Sequence, residues 1–146
     1  MLIETREPSD RAVRQLVLEL QAEVAGSNDP TGYRPLDVFE FMLGLIDGKP
    51  IACGALQQVG PGVGEINRMY VRPAWRGQGL SRLILAALEE RAVELGFHLL
   101  RLEIAQDSRA TRLYEGAGFH AVVGQPDGAG DPRRACYEKS LLPALT

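Results

Sequence analysis

The stretch from Tyr70 to Ala92, YVRPAWRGQGLSRLILAALEERA, constrains this chain more than any other. An aromatic and β-branched end meets Pro73, an Arg-Gly-Gln-Gly turn follows, and then a long apolar-rich run without Gly or Pro. That order predicts a strand, a tight turn and a helix. The first main-chain N–H groups of a helix lack internal acceptors, and the helix dipole adds positive potential there, so such a turn is suited to hold an anion. Gly77 and Gly79 carry no Cβ and let a ligand approach the main chain, while Arg76 offers a cation and Ser81 a hydroxyl. A glycine turn beside a solvated arginine is the plainer reading of the same residues. Other phosphate loops fit worse. No Gly-x-x-x-x-Gly-Lys-Ser/Thr occurs, and Arg82 stands where Gly-x-Gly-x-x-Gly needs its third glycine. Leu83 stands where a serine nucleophile elbow needs its last glycine.

Around this unit the pattern predicts the rest of the chain. Met1 to Thr5 reads as a short strand, and Pro8-Ser9-Asp10 opens a helix to about Val24, with Val13, Leu16, Val17 and Leu20 on one face. The segment from Gly26 to Pro35 is polar and turn-rich, with a second short helix near Tyr33 to Asp37 as an option. Val38–Ile46, Lys49–Val59 and Glu65–Val71 read as three meander strands joined at Asp47-Gly48 and Gly60-Pro61-Gly62. The helix from Leu80 to Leu95 carries a stripe of Leu80, Leu83, Ile84, Ala87, Leu88, Arg91 and Leu95, and Gly96 ends it. His98–Ala105, a short helix at Ser108–Gly116, Phe119–Val123 and Ala135–Ser140 complete the series, with an extended loop at 125–134. The result is an α/β (α+β) chain: one mixed sheet flanked by helices.

At 146 residues a single domain spanning 1–146 is expected. A net charge of −3 argues against nucleic-acid binding by bulk electrostatics, without excluding a local anion site. No apolar run approaches the roughly 20 residues that cross a bilayer, so the expectation is a cytoplasmic protein with no membrane partner. Cys53 and Cys136 read as buried strand thiols, and no ligand spacing suggests a metal site. His98 and His120 stand at strand starts and read as structural.

Three features together resemble the GNAT superfamily of acyl-CoA-dependent N-acetyltransferases. The family signature is Arg/Gln-x-x-Gly-x-Gly/Ala after a strand and before a helix, and here it reads Arg76-Gly77-Gln78-Gly79-Leu80-Ser81, with serine at the last small position. Upstream, MYVRPAWRGQG is similar to the usual strand-and-turn phrase; downstream, LYEGAGF from Leu113 to Phe119 is similar to the second common motif. The order of elements agrees from about Val38 onward. Asp107 departs from the asparagine often found ahead of the last helix.

The resemblance implies a mostly antiparallel sheet of about seven strands and transfer of an acetyl group from acetyl-CoA to a primary amine, with no metal. Arg76, Gly77, Gln78, Gly79, Leu80 and Ser81 would hold the diphosphate, and the main chain of Met69, Tyr70 and Val71 would position the thioester. Glu65 is the candidate base, with Glu103 its rival; each could instead be a salt-bridged strand glutamate. Regular alternation would put Glu65, Asn67, Met69 and Val71 on one face, unless a bulge near the cofactor shifts the phase. Glu103 would pair with Arg68 or Arg101. Tyr114 is the candidate acid, because a phenol with an ordinary pKa of about 10 keeps its proton at neutral pH; a core aromatic is the alternative. Trp75 reads as a packing or cofactor-rim residue. The acceptor amine, of a small molecule or a protein, would lie near Tyr33, Arg34 and Asp37. Dimerisation is common in such proteins, so a homodimer is compatible. A CoA-binding regulatory module without catalysis, or an interaction domain of the same fold, remain alternatives.

Overall fold

The computed structural model describes residues 1–24, 39–106, 108–122 and 134–141. Strand β1 (Leu2–Arg6) leads into helix α1 (Arg11–Glu23), and strands β2 (Phe39–Ile46), β3 (Lys49–Gly60) and β4 (Val63–Val71) form the meander. A 3-10 turn at Pro73–Trp75 precedes α2 (Leu80–Glu94), and β5 (Leu99–Ala105), α3 (Thr111–Gly116), β6 (His120–Ala121) and β7 (Arg134–Ser140) follow. The element order is the predicted one. The predicted helix at 33–37 and residues Val38 and Val123 lie outside the described residues; of the strand expected from Phe119, His120 and Ala121 form the described part.

The seven strands make one sheet in the order β1-β2-β3-β4-β5-β7-β6. Every neighbouring pair is antiparallel except β4 with β5. The central strand β3 is buried without a break from Ile51 to Gln57, because helices cover both of its faces. Helix α1 starts as expected: the Asp10 carboxylate accepts the Val13 N–H at 3.1 Å and caps it. Its Val13 and Leu16 pack on Phe41, Leu43, Cys53, Ala55 and Tyr70. Cys53 is a free thiol buried in that layer, and burial pushes it up to about 12, so it stays protonated and inert.

The opposite face carries α2, whose buried residues are Leu80, Ile84, Leu85, Leu88 and Ala92. This corrects the predicted stripe: Leu83 is 49% exposed, whereas Leu85 and Ala92 are buried. The helix is apolar on several sides, so docking, not periodicity, selects the face that is covered. Close approach is possible because β3 has Gly54 beneath it. A Cβ there would sit 2.5 Å from Met69 Sδ and 2.8 Å from a Leu88 methyl.

Arg91 of α2 donates to both Glu40 oxygens of β2, at 2.6 and 2.8 Å. Those bonds hold the Glu40 carboxyl below the usual carboxylate range. A depressed pKa stabilises the fold above the unfolded value of about 4.3, and this contribution disappears as pH falls through the folded value. The Tm advantage of the wild type over Glu40→Gln should therefore be full above about pH 5 and shrink below about pH 4. Melting curves from pH 7 to 3 check this; a difference that stays constant throughout would contradict it.

Candidate active site

A gap in the sheet organises the site. Among the described residues, the ladder between β4 and β5 consists of Val63↔Leu99, Gly64↔Leu100 and Glu65↔Arg101. Beyond that, β5 stays paired with β7 along its whole length, and β4 continues along β3. The two strands therefore part after Glu65. Residues 66–71 face the gap with one edge free of ladder partners, and the gap leads toward the turn before α2.

At that turn Gly77 has φ 81° and Gly79 has φ 77°, the left-handed region that glycine enters at little cost. Gly79 is the N-cap of α2 and makes no side-chain capping bond, so the first-turn amides keep their unpaired state. A Cβ built on either glycine meets no atom within 4 Å. The turn is thus open at both glycines and leads into the helix start. Gln78 is exposed and Ser81 half-buried. Leu80 points into the core, leaving only its main chain for a ligand.

Arg76 does not point at this cradle. Its Nε donates to the Val71 carbonyl at 2.8 Å, its Nη2 to Glu23 at 2.7 Å, and its guanidinium lies 5.6 Å from the Tyr70 ring centroid. Arg72 does the same one turn away, gripping Glu19 at 3.0 and 2.7 Å and holding that carboxyl below its usual range. Two arginines four apart thus meet two glutamates four apart on α1. The matched spacing was visible in the chain, but not that the two segments would meet. Trp75 is half-buried against the core on the α2 side, a packing position.

The shared face expected of a regular β4 gives way to the exception named with it, a bulge that shifts the phase. Tyr70 pairs with Cys53 and Asn67 with Ala55, so β4 uses one residue more than β3 over this interval. Arg68 is in that interval with φ 54°. Ile66 lies in the α2-side core, which places Glu65 and Asn67 on the α1 face. After the bulge, Met69 and Val71 turn to the α2 side and Tyr70 to the α1 side.

On the α1 face, Glu65 lies 3.5 Å from Arg101 of β5. Asn67 donates through Nδ2 to the Gln57 carbonyl oxygen at 3.3 Å. Glu103 pairs with Arg134 at 3.5 Å, not with Arg68 or Arg101 as expected. Tyr114 is on the other side, buried in the α2-side core and edge-on to Phe119 at 5.9 Å. Burial pushes its phenol up to about 12. Glu65 and Tyr114 therefore lie on opposite faces of the sheet, with Glu65 at the point where β4 and β5 part. Tyr33, Arg34, Asp37 and Asp107 lie outside the described residues. Gln57 and Asn67 were given no site role from sequence, and Arg101 only a pairing with Glu103; a glutamine inside the apolar β3 run was the one available signal.

The chain is similar in sequence and in shape to acetyltransferases. The family model for the GNAT acetyltransferase family matches residues 12–119. An IAA acetyltransferase of Azospirillum brasilense is 31% identical over 122 residues, covering 77% of this chain and 79% of the relative. Among solved structures, an acyl-CoA N-acyltransferase of Klebsiella pneumoniae superposes with a TM-score of 0.82 at 29% identity, covering 97% of each chain. A Bacillus subtilis acetyltransferase in complex with CoA has the same fold, with a TM-score of 0.71 at 16% identity over 96% of this chain and 98% of its own.

Proposed function

Since this chain belongs to the GNAT acetyltransferase family, we propose that it transfers an acetyl group from acetyl-CoA to a primary amine by direct attack within a ternary complex. The observation that carries the reading is the β4–β5 gap, with Glu65 at its start, running toward the open glycine turn before α2.

We assign the division of labour as follows. The amides at the start of α2, with Gln78 and Ser81 beside them, bind the diphosphate of the co-substrate. The free edge of β4 from Met69 to Val71 aligns the pantetheine arm and offers N–H groups toward the carbonyl oxygen as it gains charge. Glu65 takes a proton from the incoming amine, directly or through water, as the N–C bond forms. Tyr114 gives its proton to sulfur as the C–S bond breaks. Both groups then exchange protons with solvent, so the net change moves one proton from nitrogen to sulfur. Arg76 supports the cradle from behind by tying it to α1.

Steady-state release of free CoA from acetyl-CoA across a panel of amines tests the proposal. Amine-dependent release with formation of the N-acetyl product is expected. Saturable acetyl-CoA binding without any such release would leave a CoA-binding module instead.

A further inference from the structure

Asn67 holds a buried polar atom that the fold itself does not use. Its Nδ2 donates to Gln57, while its Oδ1 is buried with no hydrogen-bond partner among the described residues. A buried acceptor left empty is costly, and native proteins rarely tolerate one without a reason. Gln57 is only 6% exposed and lies directly across the ladder from Glu65. Its carbonyl oxygen takes the Asn67 amide nitrogen, which leaves the Asn67 oxygen unpaired among the described residues.

The position is equally specific. Asn67 is two residues beyond Glu65 on the same face of β4, just where β4 leaves β5 and just before the bulge at Arg68. Two strand residues span about 7 Å, so one small donor between the two side chains can touch both. We propose that Asn67 Oδ1 binds an N–H of the acceptor and thereby selects primary amines over secondary amines and alcohols. The assignment rests on the transferase reading above and adds the residue that discriminates.

Hydrogen counting gives the selectivity. A primary amine attacks with two hydrogens on nitrogen; one leaves for Glu65 and the other remains on the amide product. Asn67 Oδ1 therefore keeps its partner from encounter to product. A secondary amine gives up its only N–H on forming the amide, and an alcohol gives up its only O–H on forming the ester. Either would leave the Asn67 oxygen buried and empty as the reaction proceeds. Sites built around a buried hydrogen bond reject analogues that cannot make it, because the protein group is then stranded.

The smallest probes test this without knowledge of the natural acceptor. Methylamine and dimethylamine have nearly equal basicity, and methanol supplies the alcohol arm. Second-order rate constants for amine-dependent CoA release are compared with the uncatalysed rates at the same pH. The wild type should favour methylamine over dimethylamine at least about 10-fold more than the uncatalysed reaction does. Asn67→Ala should remove most of that excess while leaving acetyl-CoA affinity unchanged, and Asn67→Asp, which keeps an accepting oxygen, should retain it. A wild-type ratio equal to the uncatalysed one, or an unchanged ratio in Asn67→Ala, overturns the assignment even though the transferase stands. No amine-dependent turnover by the wild type overturns the transferase reading, and this assignment with it.

Discussion

Gly79→Glu is expected to weaken acetyl-CoA binding at least about 100-fold, roughly 2.7 kcal/mol, measured by calorimetry or by thermal shift against acetyl-CoA. Two effects add. Gly79 has φ 77°, where an L side chain costs about 1–2 kcal/mol. The larger effect is electrostatic: a carboxylate at the helix start replaces an open, donor-rich space with negative charge facing the diphosphate. Gly79→Ala separates the two, because it carries the backbone cost alone. It should lower Tm by a few degrees and keep binding within about 10-fold of wild type. Equal binding losses in the two variants would assign the defect to the backbone and remove the cradle from the account.

Glu65→Gln is expected to lower kcat about 100-fold at neutral pH with little change in acetyl-CoA affinity, the usual size of a lost proton acceptor. Its loss should fall on kcat and kcat/KM alike, since the proton moves only as the N–C bond forms. Glu103→Gln is the matched control. Glu103 lies on the next strand with its own arginine, Arg134, and should affect turnover far less. A reversed ranking would make Glu103 the base. Tyr114→Phe probes the other half of the proton transfer. No hydrogen-bond partner for its hydroxyl lies among the described residues, so the variant should melt close to wild type. A fall in kcat with unchanged Tm would identify the hydroxyl as chemical and not structural.

The arginine–glutamate ties explain one mismatch between motif and structure. The motif invites the reading that Arg76 reaches the phosphates. In the folded chain its guanidinium instead lies across Tyr70 and binds Glu23, and the parallel pair Arg72–Glu19 repeats the contact. Arg76 therefore fastens the turn to α1, which leaves the proposed anion contacts to the main-chain amides. Nothing local to Arg-Gly-Gln-Gly could reveal this, because the partner carboxylates are some fifty residues away.

Much of the molecule could be read from the chain because the relevant forces are local. The alternation of strands and helices along the chain, the helix start at Asp10 and the glycines of the turn before α2 all follow from interactions within a few residues. Three things depended on which surfaces meet. One residue inserted at Arg68 reverses the phase of β4, and counting by twos cannot detect it. The covered side of α2 was chosen by Gly54 and Leu88 coming together. The empty oxygen of Asn67 exists only because Gln57 folds beneath it. Sequence determined the elements and the glycine turn; packing alone decided which side chains face the gap, because register and burial are properties of paired surfaces.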